Sequence, residues 1–123
     1  MSTAGEPDFD WIQAASLLGD DPQNVPEDMA AIVRELVEGA EVQFKELKMK
    51  NAEVDRNPIS SLAHQLRGCL LNFGFTAVGA TLVQIEKGNY ASGEYPGLVD
   101  KAQADFVTSR KMLAARYPPA GLS

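Results

Sequence analysis

The sequence predicts an all-α fold, an up-and-down antiparallel four-helix bundle with a short additional N-terminal helix. Apolar residues recur at spacings of three and four along almost all of the 123 residues, while alternating strand-like runs and Asn-Gly or Asp-Gly turns are absent. The breaks fall where helix ends belong: Gly19, Pro26, Pro58, Gly74, Gly88, Pro96 and Pro118-Pro119 cut the chain into one short and four longer stretches joined by short polar loops.

Residues 1–8 read as a flexible N-terminal tail, 9–117 as the helical domain and 118–123 as a C-terminal tail. Phe9–Leu18 is the short leading helix, and Gly19 can terminate it in a left-handed conformation. After the loop Asp20–Val25, Pro26 suits a first helical turn, and Glu27 and Asp28 complement its dipole. Met29, Ile32, Leu36, Ala40, Phe44 and Leu47 then form one apolar stripe to about Lys50. Asn57-Pro58 begins the next helix as cap and first-turn residue, and Phe73-Gly74 ends it. Thr76–Lys87 is the following helix, with Leu82 and Ile85 inward and Gly88 as its cap. Pro96 opens the last helix, whose inner side carries Val99, Ala102, Phe106, Leu113 and Tyr117. Trp11, Tyr90 and Tyr117 read as packing residues.

Composition narrows the function. Apolar residues at 45% and charged residues at 23% suit one buried core, and the length suits one domain. Seventeen acidic against eleven basic side chains give −6, a field that repels nucleic-acid phosphates and anionic lipid. No apolar run reaches the roughly 18 residues that cross a bilayer, and Met1–Asp8 has no signal-peptide pattern, so a cytoplasmic chain is expected. Cys69 is alone and falls near the buried side, which makes it a core thiol.

The chemistry concentrates in Asn57–Phe75, NPISSLAHQLRGCLLNFGF. At about 100° per residue, Ile59, Leu62, Leu66, Leu70 and Phe73 share one side of a helix, and His64, the only histidine, lies opposite them. A lone histidine is most often an incidental surface residue, but these neighbours are not incidental. Arg67, three residues on, sets a permanent cation by the imidazole. Gly68, four residues on, weakens the helix and clears a side chain from beside the ring. Ser60, Ser61, Gln65 and Leu71 border the same face, and Phe75 extends it, so the patch reads as a docking surface with a nucleophile at its centre.

The run Ala63-His64-Gln65-Leu66-Arg67-Gly68, followed by Asn72-Phe73-Gly74, resembles the histidine-containing phosphotransfer (HPt) domain family, with weaker likeness through Leu82, Ile85 and Glu86. The resemblance implies a phosphoryl carrier of a two-component phosphorelay. In it His64 is the phosphoacceptor, Arg67 neutralises the phosphoryl group and Gly68 gives access. Its implied partners are receiver domains of response regulators and of a hybrid histidine kinase, which bring their own phospho-aspartate and divalent ion. This chain is then expected to be a monomer that needs no cofactor or metal. Cys69, Leu70 and Phe75 depart from the small residues common in the family at those positions.

Three rival readings bear on the same residues. A self-phosphorylating kinase lacks its nucleotide loop, and Gln65 cannot accept a proton as an acidic residue there would. A bundle metal site needs Glu-x-x-His pairs, but Ser61 and Arg67 flank His64 at that spacing. A helical docking or adaptor module that binds a receiver or kinase without being phosphorylated is the remaining alternative.

Overall fold

The computed structural model describes residues 9–122; the expected tail at 1–8 lies outside them. Five helices follow in order: α1 (Trp11–Leu18), α2 (Glu27–Met49), α3 (Arg56–Leu71), α4 (Ala77–Glu86) and α5 (Tyr95–Arg116). Among the described residues all regular structure is helical, with short 3₁₀ turns at Ser92–Glu94 and Pro118–Ala120. The longer four close a ring in which α3 packs on α4, α4 on α5, and α2 on both α3 and α5, while α1 leans on α2. This is the expected four-helix bundle with an extra N-terminal helix.

Each helix starts and stops for a local reason. Asp10 caps α1 by accepting from the Gln13 N–H at 3.0 Å. Gly19 ends it at φ 93° and ψ 165°, an extended conformation open essentially to glycine, rather than the expected left-handed helical one. In α2 the buried row is Ala30, Val33, Val37, Ala40, Phe44 and Leu47. The N-terminal half of the expected stripe is therefore displaced by one residue: Met29 and Leu36 are half-buried and Ile32 is exposed. Two parallel apolar rows run along that half, and the position of α3 and α5 decides which of them is covered. Helix α3 starts one residue before the expected cap, at Arg56, leaving Pro58 still within the first turn.

The core is threaded by aromatic rings. Phe9 meets Phe75 edge-on at 5.1 Å between centroids, Phe75 meets Phe106 at 5.5 Å, and Phe106 meets Phe44 at 5.4 Å. Gly74 permits this, because at φ 94° it turns the chain sharply after α3, and a Cβ there would stand 2.7 Å from the Asp10 carbonyl oxygen. The Asp10 N–H donates back to the Gly74 carbonyl, tying α1 to the α3–α4 turn.

Two expectations need correction. Residues 118–122 are no tail: Ala120 and Leu122 are buried, and their carbonyls accept from Arg34 of α2 and Arg110 of α5, both at 2.7 Å. Two apolar side chains and two paired carbonyls hold the segment to the bundle. Cys69 is exposed rather than a core thiol. The buried arc of α3 is narrow, centred on Ile59, Ala63, Leu66 and Leu70, and Cys69 falls about 60° outside it on the flank away from α4.

Candidate functional site

The site is built where α3 and α4 run antiparallel. With Ala63 and Leu66 inside, the helical period turns His64 to the surface, where its side chain is 67% exposed. Ser61, Gln65 and Gly68 are exposed with it. A Cβ built on Gly68 meets nothing within 4 Å, so nothing within the described chain requires a glycine there. The bare backbone beside the ring costs helix stability and has no internal use.

On its other flank the histidine meets α4. Nδ1 of His64 lies 3.0 Å from Oε1 of Glu86, the last residue of α4. Arg67 reaches the same oxygen, with Nη2 at 2.9 Å and Nε at 3.3 Å. Arg67 holds the Glu86 carboxyl below its ordinary 4.5, helped by the hydrogen bond and charge of His64, while partial burial works against both. An ionised carboxylate only accepts, so Nδ1 is the protonated nitrogen and donates to it. In the neutral ring Nε2 then carries the lone pair, and no group among the described residues engages it. The 3.5 Å approach of Arg67 Nη2 to Nδ1 is a contact between two donors, brought together by the shared carboxylate.

The structure divides the expected site residues. His64 and Arg67 come together, with Gly68, Ser61 and Gln65 on the open side. Ser60, expected at the docking face, donates its hydroxyl to the Glu86 carbonyl at 2.7 Å. Leu71 is half-buried against Gly79, whose Cβ, if it had one, would stand 3.2 Å from Leu71 Cδ2. Phe75, expected to extend the docking surface, is fully buried in the aromatic row. The chain reverses at Gly74, so the periodicity of α3 does not extend to Phe75. Arg67 is pinned and half-buried rather than lying on a solvated face.

The residue that sequence reasoning left without a role is Glu86. It is 22 positions from His64, beyond any helical spacing. The signal was the hairpin itself: folded about Phe75, it sets His64 opposite Glu86, just as it sets Leu71 opposite Gly79. Among the described residues no three His, Cys, Asp or Glu side chains converge as a metal site requires. No helix among them is long and apolar enough to cross a membrane.

An outward imidazole with one nitrogen tied to a carboxylate and the other open is equipped for nucleophilic transfer. Comparison with known families agrees: the model of the Hpt domain matches residues 23–115, from the loop before α2 almost to the end of α5. Comparison with curated proteins and with solved structures finds no match in either. The chain belongs to the Hpt domain family, the phosphotransfer modules of two-component signalling, which interact with receiver domains and carry phosphoryl groups rather than acting as kinases.

Proposed function

We propose that His64 is the phosphoacceptor of a phosphorelay carrier, taking a phosphoryl group from the aspartyl phosphate of one receiver domain and delivering it to the aspartate of another. The observation that carries this reading is the His64 ring itself, exposed, held at Nδ1 by Glu86 and open at Nε2. The Nε2 lone pair attacks phosphorus in line as the P–O bond to the receiver's carboxylate breaks and the carboxylate leaves. Positive charge then develops on the imidazole, and the Glu86 carboxylate on Nδ1–H balances it, as a carboxylate does for the histidine of a serine hydrolase. Transfer onward reverses these steps on a second receiver.

Arg67 has two tasks in this scheme. Through Nε and Nη2 it keeps Glu86 ionised and turned to the ring, and its Nη1 donors are left for phosphoryl oxygens. The receiver supplies the phospho-aspartate and its divalent ion, so this chain contributes side chains alone. One copy suffices, since α3 and α4 of a single chain build the site. Receivers of response regulators and of a hybrid kinase imply a cytoplasmic encounter.

Incubation with a phosphorylated receiver domain tests the reading. The expected product is an acid-labile, alkali-stable label on the wild-type chain that is absent from His64→Gln. Tight binding with no label on either chain would make the protein an adaptor and overturn the proposal.

A further inference from the structure

We infer that Ser60 is a positioning residue for phosphotransfer: it fixes the main chain of Glu86, and so sets the carboxylate on Nδ1 of His64 and reserves Nε2 for the phosphoryl group. The inference rests on His64 being the phosphoacceptor and assigns a task to a side chain that contacts neither partner nor phosphoryl group.

The last carbonyls of a helix have no partner within it. At the end of α4 the carbonyls of Val83, Gln84 and Ile85 accept from the backbone N–H groups of Lys87, Asn89 and Gly88, and that of Glu86 is left to α3, which also holds the turn that follows. Ser60 Oγ donates to the Glu86 carbonyl at 2.7 Å, and Arg56 donates to the carbonyls of Gly88 at 3.3 Å and Tyr90 at 3.4 Å while its guanidinium lies 4.2 Å over the Tyr90 ring. Arg56, Ser60, His64 and Arg67 are spaced by four, four and three residues, so one stripe of α3 faces this end of α4. The stripe grips Glu86 twice, by its main chain through Ser60 and by its carboxylate through Arg67 and His64.

The double grip has a kinetic consequence. A carboxylate on a free-swinging glutamate meets Nδ1 only part of the time, and in the remainder the ring proton can sit on Nε2, which disables the nucleophile. Fixing the Cα end removes most of that freedom before any donor arrives. A serine inside a helix ordinarily returns its hydroxyl to a carbonyl of its own preceding turn, but Ser60 spends it on the neighbouring helix. A hydroxyl so committed is not offered to a docking partner.

Phosphoramidate separates positioning from docking, because it is a small donor that needs no protein interface. Nε2 attacks its phosphorus, the P–N bond breaks and ammonia leaves. In Ser60→Ala the rate of His64 labelling by phosphoramidate falls roughly five- to tenfold, a fraction of the about 100-fold that a 1 Å misplacement can cost. Transfer from a phosphorylated receiver falls by a similar factor. The imidazole nitrogen chemical shifts move from one tautomer, protonated at Nδ1, to a mixture. Ser60→Thr keeps the hydroxyl and restores rate and shifts together. Slower receiver transfer with unchanged phosphoramidate labelling would make Ser60 a docking residue and overturn the inference, as would unchanged rates and shifts in Ser60→Ala. A wild-type chain that takes no label from either donor overturns the phosphoacceptor reading itself, and Ser60's role with it.

Discussion

Replacing Gly68 by alanine should make this protein more stable and a worse carrier. The added Cβ would meet nothing within 4 Å, so the methyl group causes no clash inside the bundle. What remains is backbone entropy and helix propensity, which favour alanine over glycine by about 0.5–1 kcal/mol within a helix. For a domain of this size that raises Tm by about 2–5 °C, measurable by thermal denaturation followed by circular dichroism. Under the proposed transfer the methyl group stands instead where a receiver approaches His64. An obstruction worth about 1.4 kcal/mol in the complex lowers kcat/KM for transfer from a phosphorylated receiver about tenfold. Gly39 supplies the control, because it is also exposed within a helix and a Cβ there also meets nothing within 4 Å. Gly39→Ala should give the same rise in Tm with no change in transfer. Labelling by phosphoramidate should be nearly unchanged in both variants, since the small donor avoids the obstruction. Gly68→Ala that transfers from the receiver as fast as wild type would refute the assignment of this bare backbone to partner access.

Three further variants test the structure. Glu86→Gln should slow His64 labelling by either donor at neutral pH, because an amide cannot balance a positively charged ring; equal rates would remove Glu86 from the mechanism. Glu86 is held below its ordinary 4.5, so its contribution to stability is present above that value and lost as pH falls through the lower folded value. Unfolding midpoints measured down the acid limb should therefore vary less with pH in Glu86→Gln than in wild type. Arg67→Ala removes the chief cause of the Glu86 depression, so the carboxyl titrates nearer its ordinary value by carbon NMR and transfer slows; unchanged transfer would leave Arg67 a purely structural partner. Tyr95 is buried with its hydroxyl donating to the Leu47 carbonyl at 2.6 Å, and burial, ahead of the nearby Tyr90 and Asp55, pushes its pKa above its ordinary 10.0. Its contribution is thus intact below pH 10.0 and lost as pH rises beyond it, and denaturant titrations should find a flatter alkaline limb in Tyr95→Phe.

The helices were legible because they depend on local period and on Gly and Pro at their ends, and the outward direction of His64 followed from the same period. What the period could not supply was the identity of neighbours. Ile32 and Val33 lie on adjacent apolar rows of α2, and only the packed helices select the second. Leu71 and Ser60 lie on the flank of α3 that α4 covers, a flank no different on a helical wheel from the one bearing the exposed Cys69. Phe75 follows a glycine at positive φ, which ends the validity of the wheel one residue too soon for it to be placed. Glu86 is a pairing across a hairpin, and hairpin register comes from where the turn folds rather than from any spacing along α3.

The two flanks of α3 face opposite requirements, and the sequence meets each differently. Toward α4 the seam is over-determined: Gly79 admits Leu71, Ser60 takes up the Glu86 carbonyl, Arg56 holds the turn at Gly88 and Tyr90, and Arg67 and Glu86 pair across it. A nucleophile that must present one particular nitrogen needs that rigidity, since a turned or retautomerised ring is inactive. Toward solvent the opposite holds, because Gly68 forgoes helix stability and Ser61 and Gln65 are small or uncharged, which under the proposed carrier role leaves the ring open to successive partners. A carrier serving more than one receiver gains from a firm grip on Nδ1 combined with an unspecialised surface around Nε2. Stability therefore accumulates along the seam with α4, and His64 stands at the boundary between that seam and the open face.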